Sequence, residues 1–86
     1  MTIEERRVKV LEKILDDTIS DQVAMEIGVE VKTSMIMLNP DHPAVQQIEK
    51  AIEQEKAALA EQPKIIEILQ KKLEEAQNAV LRGNAG

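Results

Sequence analysis

The 86-residue chain has no cysteine, no phenylalanine, tyrosine or tryptophan, one histidine, three glycines and three prolines. Without cysteine there is no disulfide, thiolate nucleophile or Cys-based zinc or iron-sulfur site, and a single histidine leaves no His pair for a zinc centre. Without aromatics the usual stacking platform for bases, sugars or an adenine ring is gone. No apolar run exceeds four residues, as in Met35-Ile36-Met37-Leu38, far short of a bilayer span, and the start Met1-Thr2-Ile3-Glu4-Glu5 is too acidic for a signal peptide. A cytoplasmic protein without cofactor or membrane partner is the expectation. No Gly-rich phosphate loop, catalytic triad or supported carboxylate pair is present, so no enzymatic activity is expected.

What remains is 43% apolar, all of it aliphatic or methionine, with abundant Glu and Lys. That is the composition of a helical or coiled-coil protein, and all-α is the expected class. The formal charge is −5. Residues 1–42 hold 5 bases and 9 acids, residues 43–86 hold 6 and 7, so the acidity lies in the first half.

Thr2 and Glu5 have the spacing of a capping box, which starts a helix expected to run from about Ile3 to Thr18 with Val8, Leu11, Ile14 and Leu15 on one side. Arg6, Lys9 and Lys13 form a basic row on another side. It reads first as a solvated face balanced by Glu5, Glu12 and Asp16, and secondarily as a site for a small anion. Asp16, Asp17, Asp21 and Glu26 match no cation-binding loop and read as ordinary helix-end acids.

Ser20-Asp21 predicts a second helix start. Val23, Ala24, Ile27, Val31, Met35 and Leu38 follow at helical spacing, with a break or turn expected near Gly28. Residues 29–33 alternate and are β-branched, which leaves a short strand or hairpin over 29–38 as the alternative. Ser20 to Leu38 resembles a helix-turn-helix: Ala24 takes the packing position, Gly28 the turn, Ile27 and Val29 its apolar neighbours. The resemblance implies a recognition helix starting at Lys32, Thr33 and Ser34. Charge argues against that use, since Lys32 is the only base in a segment with Asp21, Glu26 and Glu30.

Asn39-Pro40-Asp41-His42-Pro43 divides the chain into an acidic region, 1–42, and a heptad-patterned region, 43–86, with Asp41 or His42 as the cap of the next helix. Val45, Ile48, Ile52, Glu55, Leu59, Gln62, Ile66, Leu69, Leu73, Ala76 and Val80 follow at spacings of three and four, a coiled-coil seam interrupted by Glu55 and Gln62. Ala44, Ala51 and Ala58 flank it every seven residues. Arg82 and Gly83 suit a helix end. Pro63 offers two forms: a helical hairpin turning at Glu61 to Pro63, which is favoured, or one long kinked helix.

The architecture expected is an N-terminal helix, a short helical middle segment and a C-terminal hairpin or long kinked helix. The function expected is a small acidic protein-interaction module of regulator, adaptor or inhibitor type. It would form a homo-oligomer through Val45, Ile48, Ile52, Leu59, Ile66, Leu69, Leu73 and Val80. Met35, Met37 and Leu38 would meet an unknown protein partner. The alternatives are a helix-turn-helix regulator bound to nucleic acid, and an oligomer holding a small anionic ligand with Arg6, Lys9 and Lys13.

Overall fold

A computed structural model of the chain describes residues 1–85, with side chains through Gly83. It consists of two α-helices, α1 (Ile3–Leu38) and α2 (Val45–Ala85), joined by a turn over 39–44. The fold is an all-α helical hairpin. Among the described residues there is no strand.

The start of α1 is the expected capping box. The Glu5 amide donates to Thr2 Oγ1 at 3.1 Å, and the Thr2 amide donates to Glu5 Oε1 at 3.3 Å. This pairing satisfies two otherwise orphaned backbone donors.

Beyond Thr18 the chain is helical as expected through Leu38, but the expected breaks do not occur. Ser20-Asp21 starts no helix, Gly28 makes no turn, and 29–38 forms no strand, because α1 continues without interruption to Leu38. A lone helical Gly costs only about 1 kcal/mol relative to Ala, and no glycine among the described residues has a positive φ. The inward residues explain the continuity. Apart from Gly28, the more sheltered positions of α1 are Val8, Leu11, Leu15, Thr18, Gln22, Met25, Val29, Lys32 and Ile36. They alternate at three and four from end to end, so a single helix keeps all of them in one seam.

The turn closes with backbone bonds: the His42 amide donates to the Asn39 carbonyl at 3.2 Å, and the Val45 amide to the His42 carbonyl at 3.1 Å. His42 Nδ1 accepts the Ala44 amide at 3.0 Å, the capping role expected of it.

The sheltered positions of α2 include all eleven residues of its heptad seam. The turn expected at Glu61 to Pro63 is absent, and Pro63 lies inside α2 on an exposed side. Its cost is one backbone hydrogen bond and local crowding. A turn there would have broken the phase that carries the seam from Leu59 through Gln62 to Ile66, so the continuous alternative is the form adopted. Nor does Gly83 stop the helix, which runs on to Ala85.

The chain forms two compact units, 20–62 and 1–19 with the segment from Pro63 onward. In the first, Gln22, Met25, Val29, Lys32 and Ile36 of α1 and Val45, Ile48, Ile52, Glu55, Leu59 and Gln62 of α2 are the sheltered side chains. In the second, Val8, Leu11, Leu15 and Thr18 and the α2 residues Ile66, Leu69, Leu73, Ala76 and Val80 have that place. Ala76, at 5% exposure, is the only buried side chain among the described residues.

Replacing Pro63 by Ala in this continuous helix restores an N–H donor and removes the ring's clash. The expected result is a gain of about 1 to 3 kcal/mol in urea denaturation followed by circular dichroism, with unchanged helix content. A loss of stability would show that the proline serves a turn after all.

Candidate functional site: the outward face of α1

In the unit formed by 20–62, α1 presents two different sides. The inward side carries polar groups at seam positions: Lys32 forms an ion pair with Glu55 of α2, both side chains being mostly covered. Gln22 Nε2 donates to Glu26 Oε1 at 3.3 Å, while Gln22 Oε1, Gln62 Oε1 and Glu55 Oε2 are buried without a partner. Lys32, the proposed first residue of a recognition helix, is thus engaged within the chain. The helix-turn-helix likeness has no turn to support it, since 20–38 is one straight run of helix in sequence.

The outward side is the more apolar one. Ile27 and Val31 are each 52% exposed, Met35 50% and Leu38 86%, and Val23 and Met37 are also open. Ser20, Ala24, Ile27, Val31, Ser34 and Leu38 recur at spacings of four and three, the pattern of a second heptad seam on the side opposite the first. No charged residue interrupts those positions. Asp21, Glu26 and Glu30 lie along the margins. By contrast, α2 exposes no large apolar side chain between Val45 and Gln62 among the described residues.

The residues singled out from the sequence divide accordingly. Met35, Met37 and Leu38 are open, and Met35 and Leu38 border a hollow of about 280 Å³ over the turn with His42, Val45 and Ile48. Val45, Ile48, Ile52, Leu59, Ile66, Leu69, Leu73 and Val80 lie half-buried in the seam of α2, where α1 is the only other element of the chain to cover them. Arg6, Lys9 and Lys13 are exposed along one side of α1. Arg6 lines a shallow apolar hollow with Ile3, Val10 and Ile14, whereas Lys9 lines another with Glu5, Glu12 and Val80. Carboxylates beside Lys9 weaken its pull on an anion.

The helical spacing of Val23, Ala24, Ile27, Val31, Met35 and Leu38 picks out the residues of the outward stripe but not the side on which they lie. The inward positions Gln22 and Lys32 look like surface residues until Glu55 is placed opposite Lys32. The discriminating signal was phase: only the series through Gln22, Val29 and Lys32 continues that of Val8, Leu11 and Leu15.

Among the described residues no group of three or more His, Asp or Glu side chains could hold a metal ion. No helix is long and apolar enough to cross a membrane. No family model, curated protein or solved structure matches the chain.

Removing one member of the Lys32–Glu55 pair leaves a mostly covered carboxylate without its counter-charge. Lys32→Met is expected to cost roughly 1 to 2 kcal/mol in chemical denaturation, and adding Glu55→Leu to recover most of it. A double variant as unstable as the single one would show that the pair has no coupling energy.

Proposed function

We propose that the protein is an interaction module whose working surface is the outward face of α1, and that it acts by docking this face against a helix of another polypeptide. The observation that supports the reading is the inversion just described: the more apolar and less charged side of α1 is the one left open. Solvation alone does not favour that choice. Burying apolar surface yields about 25 cal/mol per Å², and six aliphatic or methionine side chains within 20–38 forgo it in the isolated chain. A continuous stripe of that kind marks a protein contact.

The reading differs from the expectation drawn from the sequence in its surface. The α2 stripe has an occupant within the chain, and the acidic first half contributes an apolar face with acidic margins. Those margins repel phosphate backbones, which sets the nucleic-acid alternative aside. No observation favours the anion-binding alternative: Arg6 and Lys9 line different hollows, and Glu5 and Glu12 share the one that Lys9 lines.

Ile27→Asp combined with Val31→Asp changes two side chains that the chain itself leaves open, so helix content should stay within experimental error. Cross-linking of the purified protein added to a cell extract should capture protein adducts that the double variant loses. An identical adduct pattern for both forms would contradict this function.

A further inference from the structure

We propose that the first four turns of α1 carry a second docking site, built from Ile3, Arg6, Arg7, Val10 and Ile14, and that its occupant is an acidic amphipathic helix of a partner protein. This goes beyond the reading of 20–38, from which it differs in its residues and in the sign of its charge.

The site is an aliphatic row between two cations. Ile3, Val10 and Ile14 are 83%, 51% and 43% exposed, and with Arg6, Arg7 and Leu11 they line a hollow of about 390 Å³. Ile3 and Arg7, Arg6 and Val10, and Val10 and Ile14 are each four residues apart, which makes them neighbours along the helix surface. Consecutive helical residues stand about 100° apart, so Arg6 and Arg7 fall on opposite margins of the row. No residue of α2 lines this hollow.

Charge is sorted around these turns. Glu5 and Glu12 border a different hollow with Lys9 and Val80, and Glu4 borders a third with Ala79 and Val80. No acid lines the hollow of Arg6 and Arg7, and among the described residues neither guanidinium has a carboxylate partner. In a chain of net charge −5, both are left for carboxylates from outside. The kind of cation points the same way. The chain has eight lysines and three arginines, and two of those three are Arg6 and Arg7. Arginine pairs bidentately with carboxylates and is enriched at protein contacts, where lysine is depleted.

A helix with aliphatic residues at spacings of three and four and with Asp or Glu on both margins matches the row and the two cations together. A small free anion would meet the cations and leave the row uncovered. An anionic lipid surface fits less well. Only three aliphatic side chains would enter it, and its extended negative charge would come within a Debye length of Glu4, Glu5, Glu12, Asp16 and Asp17.

Two labelled helical peptides of about 20 residues, with one leucine stripe and either Glu or Lys on both margins, test this in separate anisotropy titrations. The Glu peptide should bind with a Kd below about 100 μM and lose several-fold in affinity between about 50 and 300 mM salt. Arg6→Ser combined with Arg7→Ser should weaken it at least about tenfold, and Val10→Asp likewise, with helix content unchanged by circular dichroism. The Lys peptide should show no loss on the same substitutions. Ile27→Asp with Val31→Asp should leave the Glu peptide bound, which separates failure here from failure of the 20–38 reading. Glu-peptide binding that ignores Arg6 and Arg7, or none at about 1 mM, would overturn the site. Sedimentation with phosphatidylserine vesicles that is lost with the two arginines would assign the site to a lipid surface and overturn the peptide partner.

Discussion

Two helices cannot enclose a core. Each covers only the facing side of the other, so a hairpin of long helices leaves most of every seam residue partly wet, and the only side chain buried among the described residues is an alanine, Ala76. The other features follow from this constraint. It explains why polar groups are tolerated at seam positions: Thr18, Gln22, Lys32, Glu55 and Gln62 are only partly covered, even though Gln22 Oε1, Glu55 Oε2 and Gln62 Oε1 are themselves buried without a partner, and a partly open seam lowers the desolvation cost that would exclude such side chains from a closed interior. It also explains why apolar surface remains outside.

Lys32 and Glu55 show what such polar positions do for the fold. An exposed ion pair such as Lys71–Glu67 or Lys72–Glu75 on α2 contributes little. A pair that is mostly covered, and that lies between helices, penalises every shift of one helix along the other, because a one-heptad slip leaves both charges uncompensated. The seam of α2 repeats Ile, Leu and Val at so regular a spacing that aliphatic packing alone would accept several alignments. One charged pair and two glutamines distinguish among them, the register role for which buried polar groups are best attested.

How much of this was legible in the sequence depended on how many apolar faces each helix has. α2 has one, and its seam from Val45 to Val80 was readable in full, as were the Thr2–Glu5 box and the His42 cap, both of which are local. Pro63 misled because a strong local stop signal was weighed against a long-range phase, and the phase prevailed. α1 has two apolar faces in its second half. The richer one masked the one that packs, and Gly28 with the β-branched run 29–33 suggested breaks in a helix held together by α2. The pairing of Lys32 with Glu55, 23 residues apart, has no local signature at all.

The central claim is that the α1 face from Ser20 to Leu38 is covered when the protein acts. The most direct measurement is cross-linking in one cell extract of the unmodified protein and of the form carrying both Ile27→Asp and Val31→Asp, with circular dichroism of each. Adducts formed by the unmodified chain and lost from the variant, with helicity unchanged, are the result this account predicts. An adduct pattern that ignores Ile27 and Val31 would contradict it.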